Sequence, residues 1–137
     1  MDEQTLKTIL RKNELFNTLH DDELNVLIEN GTIREFLRGK IIYMKGEQSN
    51  DTFCLIISGN VNIVATGGNI LKEMGSGEVL GEIALSDPNH IRTLNVIARE
   101  PTLVLEWNIN HIKGKIPVLW KKLLKLAWKN IRNYYEE

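Results

Sequence analysis

The chain has 137 residues, 42% of them apolar and 26% charged, with a formal net charge of −1; this is the size and balance of one globular domain with its own core. Its single cysteine, Cys54, excludes an internal disulfide and any cysteine-built metal or iron–sulfur site, and no apolar run approaches the length of a membrane span. The acidic start MDEQTLKTIL lacks the basic, apolar pattern of a signal peptide, so a cytoplasmic setting is expected.

Residues 1–31 read as helical. Leu6, Ile9 and Leu10 recur at i, i+3, i+4, and so do Leu24, Leu27 and Ile28. Asp21, Asp22 and Glu23 open the second pattern, where carboxylates favour a helix N-terminus, and His20 stands at its entry. Gly31 follows as a C-cap.

Residues 33–107 read as short strands. Phe53, Leu55 and Ile57 alternate, as do Val61, Ile63 and Ala65, then Leu94, Val96 and Ala98, then Leu103, Leu105 and Trp107. Turn residues such as Ser58-Gly59-Asn60 and Gly67-Gly68-Asn69 separate them. Many short strands at this spacing indicate an all-β barrel or sandwich. Cys54 falls within one alternating strand and reads as a buried small hydrophobe.

Residues 109–135 return to helical period. His111 reads as a helix-start residue, and Pro117 suits a first helical position. Leu119, Leu123, Leu126, Ala127, Ile131 and Tyr134 form an apolar stripe, while Lys121, Lys122, Lys125, Lys129 and Arg132 form a basic one. Charge is unevenly placed: residues 111–137 hold seven Lys or Arg against two acids, +5, and residues 1–110 hold ten against sixteen, −6. The whole reads as a single domain over 1–137, a mainly β fold in which a β-roll or jelly-roll barrel is flanked by N-terminal helices and a long C-terminal helix.

One stretch carries chemistry. Gly81 to Val96 reads GEIALSDPNHIRTLNV and sets a lone acid, Glu82, and a lone arginine, Arg92, among apolar residues. Gly81 permits a close backbone approach or an unusual φ. Glu82 to Leu85 can form a short helical turn ended by Pro88, whose free N–H groups suit an anion. Arg92 offers a planar fork that matches a phosphate, and Thr93 adds a hydroxyl beside it. Glu82 would repel a phosphate but can accept hydrogen bonds from a sugar hydroxyl. The competing reading is a loop ion pair between Glu82 and Arg92, worth at most about 1 kcal/mol if exposed. His90, next to the stretch, reads as solvated loop. Three scattered histidines and one cysteine make no metal site. No Ser/His/Asp or Cys/His arrangement and no P-loop appear, so no catalytic residues and no enzyme are expected.

The pattern G-E-I-A-L, a short loop, then R-T-x-x-V resembles the phosphate-binding cassette of cyclic-nucleotide-binding domains, with the Glu82-to-Arg92 spacing of the catabolite-activator type. LFNTLHDDEL, GKIIYMKGEQSNDTFCLIISGNVNIV and PVLWKKLLKLAWKNI resemble that family's opening helical element, first β-hairpins and closing helix. The resemblance implies a regulatory module that binds cyclic AMP or cyclic GMP. It implies that Glu82 accepts from the ribose 2′-hydroxyl, that Arg92 pairs with the cyclic phosphate beside the amides of Ile83 and Ala84 and the Thr93 hydroxyl, and that Gly81 opens the cassette. The helix after Pro117 would close over the base, with Asn133, Tyr134 and Tyr135 as its lid. Leu80, Ile91, Leu94 and Asn95 depart from the family's usual residues.

No DNA-binding module follows the long helix in these residues, so the output of such a sensor would go to an effector protein or through a homodimer formed by that helix. The other reading is a ligand-free scaffold, in which the aromatic, basic helix acts as the interaction surface.

Overall fold

The computed structural model describes residues 1–135, with side chains through Arg132. The chain runs α1 (Glu3–Leu10), α2 (Asp21–Asn30), β1 (Thr32–Phe36), β2 (Ile41–Tyr43), β3 (Thr52–Ser58), β4 (Asn60–Val64), β5 (Ile70–Gly75), β6 (Val79–Leu80), α3 (Glu82–Ser86), β7 (Asn95–Ala98), β8 (Thr102–Asn108), α4 (Ile109–Ile112) and α5 (Pro117–Tyr135). Among the described residues eight strands form two four-stranded antiparallel sheets, ordered β1-β8-β3-β6 and β2-β7-β4-β5. The fold is mainly β with flanking helices, as the period-two runs indicate. Ala65 and Leu94 lie just beyond the ends of β4 and β7.

The helices start where the local chemistry directs. Asp2 caps α1 by accepting from the Thr5 N–H at 2.7 Å, and the Glu23 carboxylate accepts from the His20 N–H at 2.9 Å ahead of α2. Each bond serves an N–H group that has no carbonyl partner inside the helix. Gly31 ends α2 with extended backbone, φ −95°, not the left-handed cap its residue type suggests. Glycine is needed there for space: a Cβ would lie 2.5 Å from Leu105 Cδ1 and 2.9 Å from Trp107 Nε1. Asn108 caps α4 by accepting from the Asn110 N–H, so His111 lies in the last turn of α4 and not at its entry.

Two cores share the middle strands. Residues 53–57 of β3 are all buried, but they divide by period two. Phe53, Leu55 and Ile57 face a cluster with Leu10, Phe16, Leu24 and Leu27 from the N-terminal helical region and Leu119 and Leu123 from α5. Cys54 and Ile56 face the barrel interior with Tyr43, Leu80, Val96 and Val104. Trp107 anchors the helical side. It is 1% exposed, packs on Phe16 and Phe53 at centroid distances of 5.7 and 5.1 Å, and donates Nε1–H to the Leu27 carbonyl at 2.7 Å. Truncating an aromatic of this kind costs about 3–5 kcal/mol.

The long helix lies across this body. Pro117 opens α5, where its missing N–H costs nothing. Leu119, Leu123 and Ala127 are buried, Leu126 and Ile131 half-buried, and Lys121, Lys125, Lys129 and Arg132 exposed. The packing of α5 against α3 brings the last helix to the G-E-I-A-L stretch. No helix among the described residues is long and apolar enough to cross a membrane.

Candidate functional site

Gly81, Glu82, Ile83, Ala84, Arg92 and Thr93 all border one cavity in the barrel. Its other walls include Tyr43, Ile63, Leu80, Leu94 and Val96. The cavity holds about 40 Å³, room for about three water molecules at about 10–15 Å³ each.

Gly81 makes the corner. It caps α3 at φ 87°, in the left-handed region. A Cβ there would approach Arg92 Nη1 to 2.8 Å, Tyr43 Cε2 to 2.9 Å and Phe53 Cα to 3.3 Å. Both backbone shape and crowding therefore require glycine. The α3 turn then runs from Glu82 to Ser86 and ends at Asp87, one residue before Pro88. Its first-turn N–H groups have no carbonyl partner within the helix.

Arg92 is held from both sides. Its backbone N–H donates to the Glu47 carbonyl at 2.9 Å, and its carbonyl accepts from the Gly46 N–H at 2.9 Å. The side chain is 3% exposed. Nη2 donates to the Ser49 carbonyl at 3.0 Å, the Thr52 carbonyl at 2.8 Å and the Thr52 hydroxyl at 2.7 Å, and Nη1 donates to the Gly81 carbonyl at 3.2 Å. The guanidinium carbon lies 3.7 Å from the Tyr43 ring centroid, a cation–π contact. Arg92 Nε is buried with no hydrogen-bond partner among the described residues.

Glu82 is buried as well, at 4% exposure. Among the described residues no ion pair joins it to Arg92, so the loop ion pair weighed from sequence is absent. Its Oε1 instead accepts from Asn130 Nδ2 on α5 at 2.5 Å. Burial pushes the carboxyl above its ordinary range, against the pull of its own backbone N–H, the Asn130 amide, Lys72 and Arg92. The same barrel interior raises Tyr43 well above its ordinary value, chiefly by burial.

The sequence reading missed Asn130, Tyr43, Ser49 and Thr52. Asn130 carried a signal: Leu123, Ala127 and Asn130 follow each other at helical spacings, so an amide sits on the buried stripe of α5. Ser49 and Thr52 act partly through backbone carbonyls, which no residue type announces. Asn133, Tyr134 and Tyr135 have helical backbone, and their side chains lie outside the described residues. His90 pairs through Nδ1 with Asp51 at 3.0 Å and is half exposed. Two departures from the family pattern have local uses. Ile91 donates its N–H to Asp87 Oδ2 at 2.9 Å, a bond a proline would lack, and Asn95 Oδ1 accepts from the Lys45 N–H at 2.9 Å. Among the described residues no cluster of three or more His, Cys, Asp or Glu could hold a metal ion.

The family model described as cyclic nucleotide-binding domain matches residues 33–116. The chain belongs to the cyclic nucleotide-binding domain family. Among solved structures, the domain resembles the catabolite activator protein of Thermus thermophilus, with 25% identity, 88% of this chain and 59% of that chain covered, and a TM-score of 0.75. It resembles the regulatory domain of Toxoplasma gondii PKA crystallised with cAMP, with 21% identity, coverage of 95% and 50%, and a TM-score of 0.76. It also resembles the regulatory subunit of a cAMP-independent protein kinase A from Trypanosoma brucei, with 22% identity, coverage of 97% and 49%, and a TM-score of 0.79. The domain spans about half the length of these two kinase chains. No curated protein sequence matches it.

Proposed function

We propose that this domain is a regulatory, non-catalytic sensor of a cyclic purine nucleotide, cyclic AMP or cyclic GMP. The observation that carries this reading is the meeting of Glu82, Arg92, Thr93 and the first turn of α3 on one cavity, within a chain of this family. Glu82 accepts from the ribose 2′-hydroxyl. Arg92 exchanges the Ser49 and Thr52 carbonyls for the cyclic phosphate, a better partner for a guanidinium because it is charged. The Ile83 and Ala84 amides and the Thr93 hydroxyl complete the phosphate site, and Gly81 lets the backbone come close.

A nucleotide needs far more than about 40 Å³, since sites for small molecules run to about 300 Å³ or more. Binding therefore opens the barrel and draws Glu82 away from Asn130. Once the barrel has admitted it, the ligand prefers the state in which α5 closes over the base with Asn133, Tyr134 and Tyr135 as the lid, and that shift of α5 is the output. Residues 1–137 act as one domain in this scheme. It signals in the cytoplasm, where a lone buried thiol stays reduced, to an effector protein or to a second copy through α5.

The small cavity and the four hydrogen bonds already made by the Nη atoms of Arg92 favour a second reading, a ligand-free member of the family that acts as a scaffold. Thermal melts with cyclic AMP and with cyclic GMP decide between them. Ligand at about one hundred times its Kd adds about 2.7 kcal/mol, a rise of several degrees at this size. Because Arg92 also holds the fold, the Arg92→Ala readout is the ligand-induced increment and not the baseline. An increment in the native protein that vanishes in Arg92→Ala supports the sensor. No increment with either nucleotide up to about millimolar overturns the cyclic AMP and cyclic GMP readings and leaves the scaffold or a different small anion.

A further inference from the structure

A second concavity, of about 700 Å³, runs between α5, the segment after α1 and the β5–β6 turn. Lys12, Lys122, Lys125 and Lys129 line it, against the two carboxylates of Glu14 and Glu78. Leu15 and Leu126 give it an apolar floor. It continues onto a smaller concavity bounded by Lys125, Trp128, Lys129 and Arg132. Trp128 is 66% exposed, whereas Trp107 is buried and Trp120 packs against the core.

Among the described residues, no acid pairs with these cations. Lys12 and Lys122 donate only to the hydroxyls of Ser76 and Thr18, and neither Lys125, Lys129 nor Arg132 forms an ion pair with another described residue. Lysines gathered around an apolar floor, with an exposed indole beside them, are complementary to an acidic chain with an apolar anchor.

We infer that this groove and the Trp128 face dock an acidic peptide segment of a partner protein, with one aromatic or aliphatic anchor. Lys122 to Arg132 spans about 15 Å of helix, the reach of about five residues of extended chain. Carboxylates of the peptide face Lys12, Lys122, Lys125, Lys129 and Arg132, and the anchor packs on Trp128 beside Lys125 and Lys129. A second copy is a poor occupant: a two-fold contact through this face sets Lys125, Lys129 and Arg132 against themselves. A continuous nucleic-acid backbone meets Glu14 and Glu78, and a bilayer surface cannot enter a concavity. This docking surface is separate from the nucleotide cavity and does not depend on it.

Fluorescence polarisation of a short rhodamine-labelled peptide of Glu and Asp around a central Leu-Phe pair tests the inference on the full chain at low salt. The acidic peptide binds and its Gln/Asn counterpart does not, and added salt weakens the complex. The double variant Lys125→Glu, Lys129→Glu weakens binding about tenfold or more and Trp128→Ala weakens it several-fold, while both keep the native melting temperature because these side chains are exposed. The nucleotide-free native protein binds the peptide whether or not either cyclic nucleotide raises its melting temperature, so the two readings fail separately. Three results overturn the inference: no binding of the acidic peptide, equal binding of its neutral counterpart, or charge-reversed protein that still binds. Tighter binding of a single-stranded oligonucleotide or of phosphatidylserine vesicles also overturns it, as does a peptide-free dimer that charge reversal dissolves.

Discussion

Asn130 Nδ2 on the last helix lies 2.5 Å from Glu82 Oε1 at the start of α3. The two residues are 48 positions apart, and both are buried. A buried carboxylate with a lost donor carries the full cost of its desolvation, about 1–3 kcal/mol. Asn130→Ala is therefore expected to lower the melting temperature and to speed hydrogen exchange in α5 more than in β3. Asn130→Asp sets a second carboxylate against Glu82, and like charges disfavour ionisation. Its loss of stability is expected to be greater at about pH 7 than at about pH 4. Equal loss at both values would show that Asn130 acts by packing alone.

Glu82 itself gives the opposite sign. Burial raises its pKa in the folded domain, so the native state binds the proton more tightly than the unfolded chain does. The penalty for the charged form is absent below the unfolded carboxylate's range, grows as pH rises through the folded value, and is complete above it. Glu82→Gln keeps the shape and removes the charge. The variant is expected to melt above the native protein at about pH 7, with the difference shrinking toward zero at about pH 4. A variant that melts lower at both values would mean that the carboxylate's hydrogen bonds outweigh its desolvation.

Much of this arrangement was legible in the residues. Gly81, Glu82, Arg92 and Thr93 form a motif whose members lie close in the chain, and they line one cavity. The alternating strands were legible for the same reason, because period two is local. What was not legible is long-range. The partner of Glu82 comes from a helix 48 residues later, and the partners of Arg92 are largely backbone carbonyls 40 and 43 residues earlier. Gly31 had the right residue for the wrong reason. It ends the helix with extended φ, and what demands glycine is the approach of Leu105 and Trp107 from another strand. Nor does alternation alone reveal that β3 has a core on each face. That follows from α5 and the N-terminal helical region covering the side that would otherwise meet water.

The lone cysteine tests the barrel core. Burial pushes the Cys54 thiol up to about 12, although a hydrogen bond with Tyr43 acts in the other direction. Reaction with disulfide reagents requires the thiolate and access to it, and Cys54 has neither at about pH 8. The folded domain is expected to leave an aromatic disulfide reagent unreacted, with one thiol per chain appearing in denaturant at the unfolding midpoint. Fast labelling of the native domain would mean that the barrel opens locally far more often than it unfolds.

Leu94 narrows the cavity at a position next but one to Arg92. Its side chain is half-buried and lines the same wall as Ile63 and Val96. Cutting it to alanine removes apolar contact without touching Glu82, Arg92 or Thr93. Leu94→Ala is expected to cost about 1–3 kcal/mol of stability, less than a fully buried leucine, and to enlarge the cavity beyond its present 40 Å³ or so. If a cyclic nucleotide has to open this barrel to enter, part of that opening is now made in advance, and less binding energy is spent on it. The variant should then melt lower than the native protein without ligand, yet show a larger ligand-induced increment at the same nucleotide concentration. Titration calorimetry gives the same comparison as a fall in Kd. A lower melt with an unchanged increment would place the barrier to entry elsewhere, at the Arg92 contacts with Ser49 and Thr52, and Thr52→Val, which removes one of those acceptors, becomes the variant that should raise the increment.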